Sequence, residues 1–76
     1  MRDKIMNILK NVRPDADFDT SDDFVSDGFL DSFDVISLVS ELDSSFGISI
    51  DGAKITPENF STLEKIADLV RENGGA

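Results

Sequence analysis

Val35, Leu38, Val39, Leu42 and Phe46 recur at intervals of three and four residues, and no other feature limits the fold of this chain so strongly. A turn of α-helix takes 3.6 residues, so these side chains share one face and must be buried against something. Asp31 before the stripe is a good N-cap, Asp34 in the first turn suits the helix dipole, and Gly47 suits the C′ position. The pattern predicts a helix over residues 32–46.

Two shorter stripes flank it. Ile5, Ile8, Leu9 and Val12 form one face near the N-terminus, with Asp3 early and Lys10 and Arg13 late, as the dipole prefers. Pro14 disfavours helical geometry at Arg13 and marks the end. Leu63, Ile66, Ala67 and Val70 form the third stripe. Ser61-Thr62-Leu63-Glu64 before it reads as a capping box, and Asn73-Gly74-Gly75 closes it. Thr56-Pro57-Glu58 signals a short helix ending near Phe60. Ile48 and Ile50 alternate with polar residues, but a lone strand has no partner, so an extended connector is expected.

Between Pro14 and Asp31 no period holds, yet Phe18, Phe24, Val25, Phe29 and Leu30 lie there. So many large apolar residues argue for an ordered loop, pinned by Phe24 and Leu30, with a helical turn expected at Ser21 to Phe24. The expected fold is all-α: a small antiparallel four-helix bundle of three main helices and one short one, with a long first loop. Residues 1–76 are expected to form a single domain.

Composition narrows the function. The chain has 76 residues, no Cys, no His, no Trp and no Tyr. Disulfides, thiolate or His-ligated zinc sites and His-based catalytic triads are therefore excluded. Sixteen acidic residues against seven basic ones give a net charge of -9, which repels nucleic acid and anionic membranes and attracts basic protein surfaces. No run approaches the ~20 apolar residues of a membrane span. The N-terminus does not read as a secretory signal. A monomeric cytoplasmic protein is expected. Asp15, Asp17 and Asp19 have the spacing of a calcium loop, but Thr20 and Ser26 stand where Gly and Glu are required, so no metal site is assigned. Loose binding of divalent ions to the acidic loop, and stabilisation by salt or magnesium, are expected from the charge, with a melting-temperature titration as the check.

The segment that bears on chemistry is Gly28-Phe29-Leu30-Asp31-Ser32-Phe33-Asp34. Ser32 follows the N-cap and should be exposed. The unpaired amides of a first helical turn lie close to any phosphate placed on such a serine. Asp or Ser at this position is also an ordinary cap, and the cap alone does not decide between the two readings.

Residues 28 to 50, GFLDSFDVISLVSELDSSFGISI, resemble the attachment region of the acyl carrier protein family. The similarity includes the apolar stripe, the Phe46-Gly47-Ile48 exit, the Ile48/Ile50 pair, Ile55-Thr56 and the outer helices. In that family a phosphopantetheinyl transferase moves 4'-phosphopantetheine from coenzyme A onto the motif serine. The resemblance thus implies Ser32 as the attachment residue and Asp31 as its motif aspartate. It implies a non-enzymatic carrier that holds acyl or aminoacyl groups as thioesters and delivers them in fatty-acid, polyketide or related biosynthesis. Partner enzymes with basic docking surfaces are implied, and the tether raises the local concentration of cargo at each one.

Phe33 stands where the commonest family motif has Leu, and the glycine spacing differs from many fatty-acid carriers. Gly-x-Leu-Asp-Ser-Phe resembles stand-alone carriers of specialised pathways, D-alanyl carrier proteins among them. Downstream of Asp51 the chain does not look like a D-alanyl carrier. Ser37, Ser40, Ser44 and Ser45 occupy much of the outer face of the second helix, with Asp34 and Glu41, so attraction by charge should be weaker along the helix and rest more on Asp27, Asp31 and the loop; Asp27, Phe33, Asp34, Ile36 and Glu41 are expected to meet partners. Phe33 and Ile36 fall off the core stripe; they either pack on the long loop or anchor partner enzymes. The reading of a different class is an unmodified acidic helical module that only binds a protein partner.

Overall fold

An amphipathic segment with an acidic start and a basic end folds as helix α1, Arg2–Val12, and buries Ile5, Ile8 and Leu9. In this computed structural model, which describes residues 2–75, α2 spans Ser32–Phe46 and α3 spans Leu63–Glu72. Among the described residues every regular element is helical, with three 3-10 turns at Phe18–Thr20, Gly52–Lys54 and Glu58–Phe60 between the α-helices. The expected short helix after Pro57 is the last of these. The turn at Gly52–Lys54 was not expected; Asp51 caps it by accepting a hydrogen bond from the Ala53 amide at 3.0 Å.

Ile5 and Leu9 of α1, Leu38 and Leu42 of α2, Ile66 and Val70 of α3, and Phe60 are fully enclosed in one core. Each such aliphatic side chain contributes about 1.5–3 kcal/mol of burial. Two basic side chains fix the direction of α1 against α2. Lys4, at the start of α1, donates to the Ser45 carbonyl at 2.8 Å and lies 4.6 Å from the Phe46 ring centre. Arg13, just past the end of α1, reaches Asp34 in the first turn of α2 at 2.8 Å. The two helices therefore run antiparallel. Arg2 pairs with Glu64, joining the starts of α1 and α3.

Two local expectations are corrected. The helical turn in the first loop lies at Phe18–Thr20 rather than at Ser21 to Phe24. Phe18 is drawn inward there, edge-on to Phe24 at 5.0 Å and to Phe29 at 6.0 Å between ring centres, and this aromatic contact chooses the turn. The cap of α3 is Thr62, whose hydroxyl accepts from the Lys65 amide at 3.1 Å. Ser61 instead donates to the Glu58 carbonyl at 2.7 Å, which closes the preceding turn and removes it from the cap.

The connector after α2 is extended, as expected, and buries Ile50, with Ile48 half-buried. Asp43 organises it: its carbonyl accepts from the Ile48 amide at 3.1 Å and its carboxylate from the Ile50 amide at 3.0 Å. Gly47 takes the left-handed conformation, φ 63°, that turns the chain out of the helix.

Candidate functional site

The first loop delivers the chain to α2 through a chain of polar contacts over an aromatic base. The Phe24 amide donates to the Ser61 carbonyl at 2.7 Å, which ties the loop to the segment before α3. The Asp23 carboxylate accepts from the Ser26 amide at 3.0 Å and the Val25 amide at 3.1 Å. These bonds hold its pKa below the usual carboxylate range, against the opposing effect of burial. Ser21 donates to Asp27 at 2.6 Å across the same turn. The Phe29 and Leu30 amides both bond the Phe24 carbonyl, and Leu30 enters the core. The chain therefore reaches Asp31 on a defined path.

Asp31 caps α2. Its carboxylate accepts from the Asp34 amide at 2.8 Å, and the Asp34 carboxylate accepts from the Asp31 amide at 3.2 Å, a reciprocal capping box. Ser32, the first residue of α2, is exposed, and its hydroxyl makes no hydrogen bond among the described residues. The amides of Ser32 and Phe33 likewise find no acceptor there. Helix-start amides of this kind favour an anion beside them.

Beside Ser32 a cleft of about 530 Å³ opens between the start of α2 and residues 55–57. Its walls include Leu30, Val35, Ile36, Ile55 and Pro57, so it is mainly apolar, with the serine at its edge. An exposed hydroxyl, unpaired amides and an adjoining apolar groove suit a phosphodiester-linked arm with a non-ionic body. The set fits the prosthetic group that the sequence implies.

The other residues expected at the site divide. Phe33 is 82% exposed and Ile36 63%, so both stand largely open to solvent, with Ile36 also at the wall of the cleft. Glu41 and Asp27 are exposed, the latter engaged by Ser21. Asp34 is engaged within the cap. Arg13 and the Asp31 amide both donate to its Oδ2, and its side chain is only 16% exposed. Burial raises its pKa, but the hydrogen bonds and charge of Arg13, with the Asp31 bonds, prevail and hold it low. Arg13 is correspondingly raised, first by Asp34 and then by Asp15. Arg13 was read from the sequence only as a dipole partner of α1. Nothing local announces a contact 21 residues away. Ile55 and Pro57 as cleft walls were also missed. Among the described residues, no group of three acidic side chains is placed to hold a metal ion, and no helix is long and apolar enough to cross a membrane.

Residues 2–70 match the family model described as the phosphopantetheine attachment site. The chain is 34% identical over 74 residues to the D-alanyl carrier protein of Lactococcus lactis subsp. lactis (strain IL1403), covering 95% of this chain and 94% of that one. It is 32% identical over the same length to the D-alanyl carrier protein of Lactococcus lactis subsp. cremoris (strain MG1363), with the same coverage. No solved structure matches. An alignment covering 95% of the chain runs well past Asp51, which corrects the expectation that the similarity to D-alanyl carriers stops there.

Proposed function

This chain belongs to the phosphopantetheine attachment family, whose carrier members are non-catalytic, and we propose that Ser32 bears its arm and that its cargo is an aminoacyl group, D-alanine first. The observation that carries the reading is the Ser32 hydroxyl, exposed and unpaired at the first position of α2 beside an apolar cleft. When bound, 4'-phosphopantetheine supplies a thiol that holds acyl groups as thioesters. The protein's own residues hold the attachment point still and open. Asp31 and Asp34 order the turn that presents the hydroxyl, and the Ser32 and Phe33 amides favour the phosphate. The walls at Val35, Ile36, Ile55 and Pro57 offer the arm an apolar bed.

Cargo identity rests on the similarity to two D-alanyl carrier proteins, in preference to fatty-acid or polyketide work. Phe33, Ile36, Glu41 and Asp27 form the face offered to loading enzymes, an apolar centre with acidic surroundings that suits a basic partner. Residues 1–76 act as one carrier unit.

Co-expression with a broad-specificity phosphopantetheinyl transferase, followed by intact-mass measurement, tests the attachment. One added phosphopantetheine is expected, and none in Ser32→Ala. The loaded protein, given ATP and a D-alanine-activating ligase, should then gain a hydroxylamine-labile alanyl mass. An unchanged mass at the first step removes the attachment reading, and failure only at the second removes the cargo.

A further inference from the structure

We propose that Arg13 is a positioning residue for the modification of Ser32, acting through Asp34 to hold the first turn of α2 in the geometry that the transferase meets. The inference rests on the reading of Ser32 as the attachment residue and adds to it a control exerted from α1.

Three contacts carry it. Oδ2 of Asp34 accepts from Arg13 Nη1 at 2.8 Å and from the Asp31 amide at 3.2 Å, while Oδ1 of Asp31 accepts from the Asp34 amide at 2.8 Å. Ser32 lies inside that ring of bonds. Without Arg13, two carboxylates would share one helical turn with no cation bonded to either, and mutual repulsion would favour swinging one into solvent. The phosphate donor brings more negative charge to the same turn. Arg13 offsets that charge and fixes which oxygen of Asp34 faces the Asp31 amide.

Arg13 is itself held. Its amide donates to the Leu9 carbonyl at 2.9 Å, continuing the pattern of α1, and its Nε lies 3.4 Å from Asp15. The pair is partly withdrawn from water, with side chains 31% and 16% exposed for Arg13 and Asp34, so it is stronger than an ion pair on the open surface. In the modification itself, Ser32 Oγ forms the new P–O bond, the bond to the 3',5'-ADP portion of coenzyme A breaks, and the hydroxyl proton passes to the transferase. A hydroxyl slightly misplaced is expected to slow this step without weakening docking.

The test is steady-state modification by a broad-specificity transferase and coenzyme A, well below the melting temperature. Wild type, R13Q, R13K, D34N and R13Q/D34N are compared, with S32A as the blank. R13Q is expected to lower kcat about tenfold with KM within about twofold, since the loss is one of orientation. R13K, which keeps the charge, should recover most of it. In the D34N background R13Q should cost less than about twofold, because the ion pair it would break is already gone. Unchanged kcat in R13Q, a raised KM alone, or equal loss in both backgrounds overturns the inference. If R13Q does not fold, the same cycle is run with R13A, whose loss in kcat must fall below about twofold in the D34N background. A wild type that is not modified removes the Ser32 reading and this inference together. A modified wild type with R13Q unaffected removes the inference alone.

Discussion

The two ends of α2 are both gripped by α1, and by opposite means. At the exit, Lys4 bonds a main-chain carbonyl, Gly47 turns the chain, and Asp43 takes the amides of Ile48 and Ile50, so backbone groups are satisfied and an isoleucine is buried. At the entrance, Arg13, Asp34 and Asp31 make a ring of side-chain charges, and the hydroxyl beside it is left in the open. One end is built for burial and the other for presentation. Residues at the exit should govern stability, and residues at the entrance should govern what the protein does and at what pH.

Replacing Asp43 by Ala should have the largest effect on the fold. It strands the Ile50 amide in a buried segment, a loss of about 1–3 kcal/mol readable as a lowered urea midpoint. Gly47→Ala comes next. Forcing a side chain into the left-handed region costs about 1–2 kcal/mol, whereas Gly52→Ala, at an unstrained and open position, should leave the midpoint within about 0.5 kcal/mol of wild type. Equal effects of the two glycine variants would break the account of the exit.

At the entrance the expected signature is in pH. Arg13 and the Asp31 amide hold the folded pKa of Asp34 below its unfolded value, so the unfolded chain takes up the proton first as pH falls. The stabilisation is complete above the unfolded carboxylate pKa and drains away as pH falls through the depressed folded value. Carboxyl NMR should find Asp34 titrating below the usual carboxylate range, and its midpoint should rise in R13Q. A midpoint that does not move would detach Arg13 from the cap. Phe33→Ala is the mildest change for the fold. With the ring 82% exposed, stability should stay within about 0.5 kcal/mol, while affinity for a loading enzyme, read by calorimetry, should fall. A destabilised Phe33→Ala would mean that the entrance, too, is built for burial.

Much of this was legible in the chain. Helical periodicity, Asp31, Gly47 and Pro14 are local signals, and α2 spans the residues they predict. The exposure of Ser32 was legible from its place after the cap, but its role as attachment residue was read from the resemblance of residues 28–50 to the acyl carrier protein family and not from the cap. Local rules failed where two local choices competed. Ser61 and Thr62 could each cap α3, and the preceding turn took Ser61. The first loop offered several turns, and the edge-to-face contacts of Phe18 selected one.

By itself the amino-acid sequence determined the three main helices, the cap of the second and an exposed serine at its head, since hydrophobic spacing and capping act over one or two turns. Only the tertiary structure decided that Arg13 meets Asp34 and that Ile55 and Pro57 wall a cleft beside Ser32. Those outcomes join residues roughly twenty positions apart. Their partners are chosen by how α1 and the connector pack against α2, and no spacing within a single segment encodes that choice.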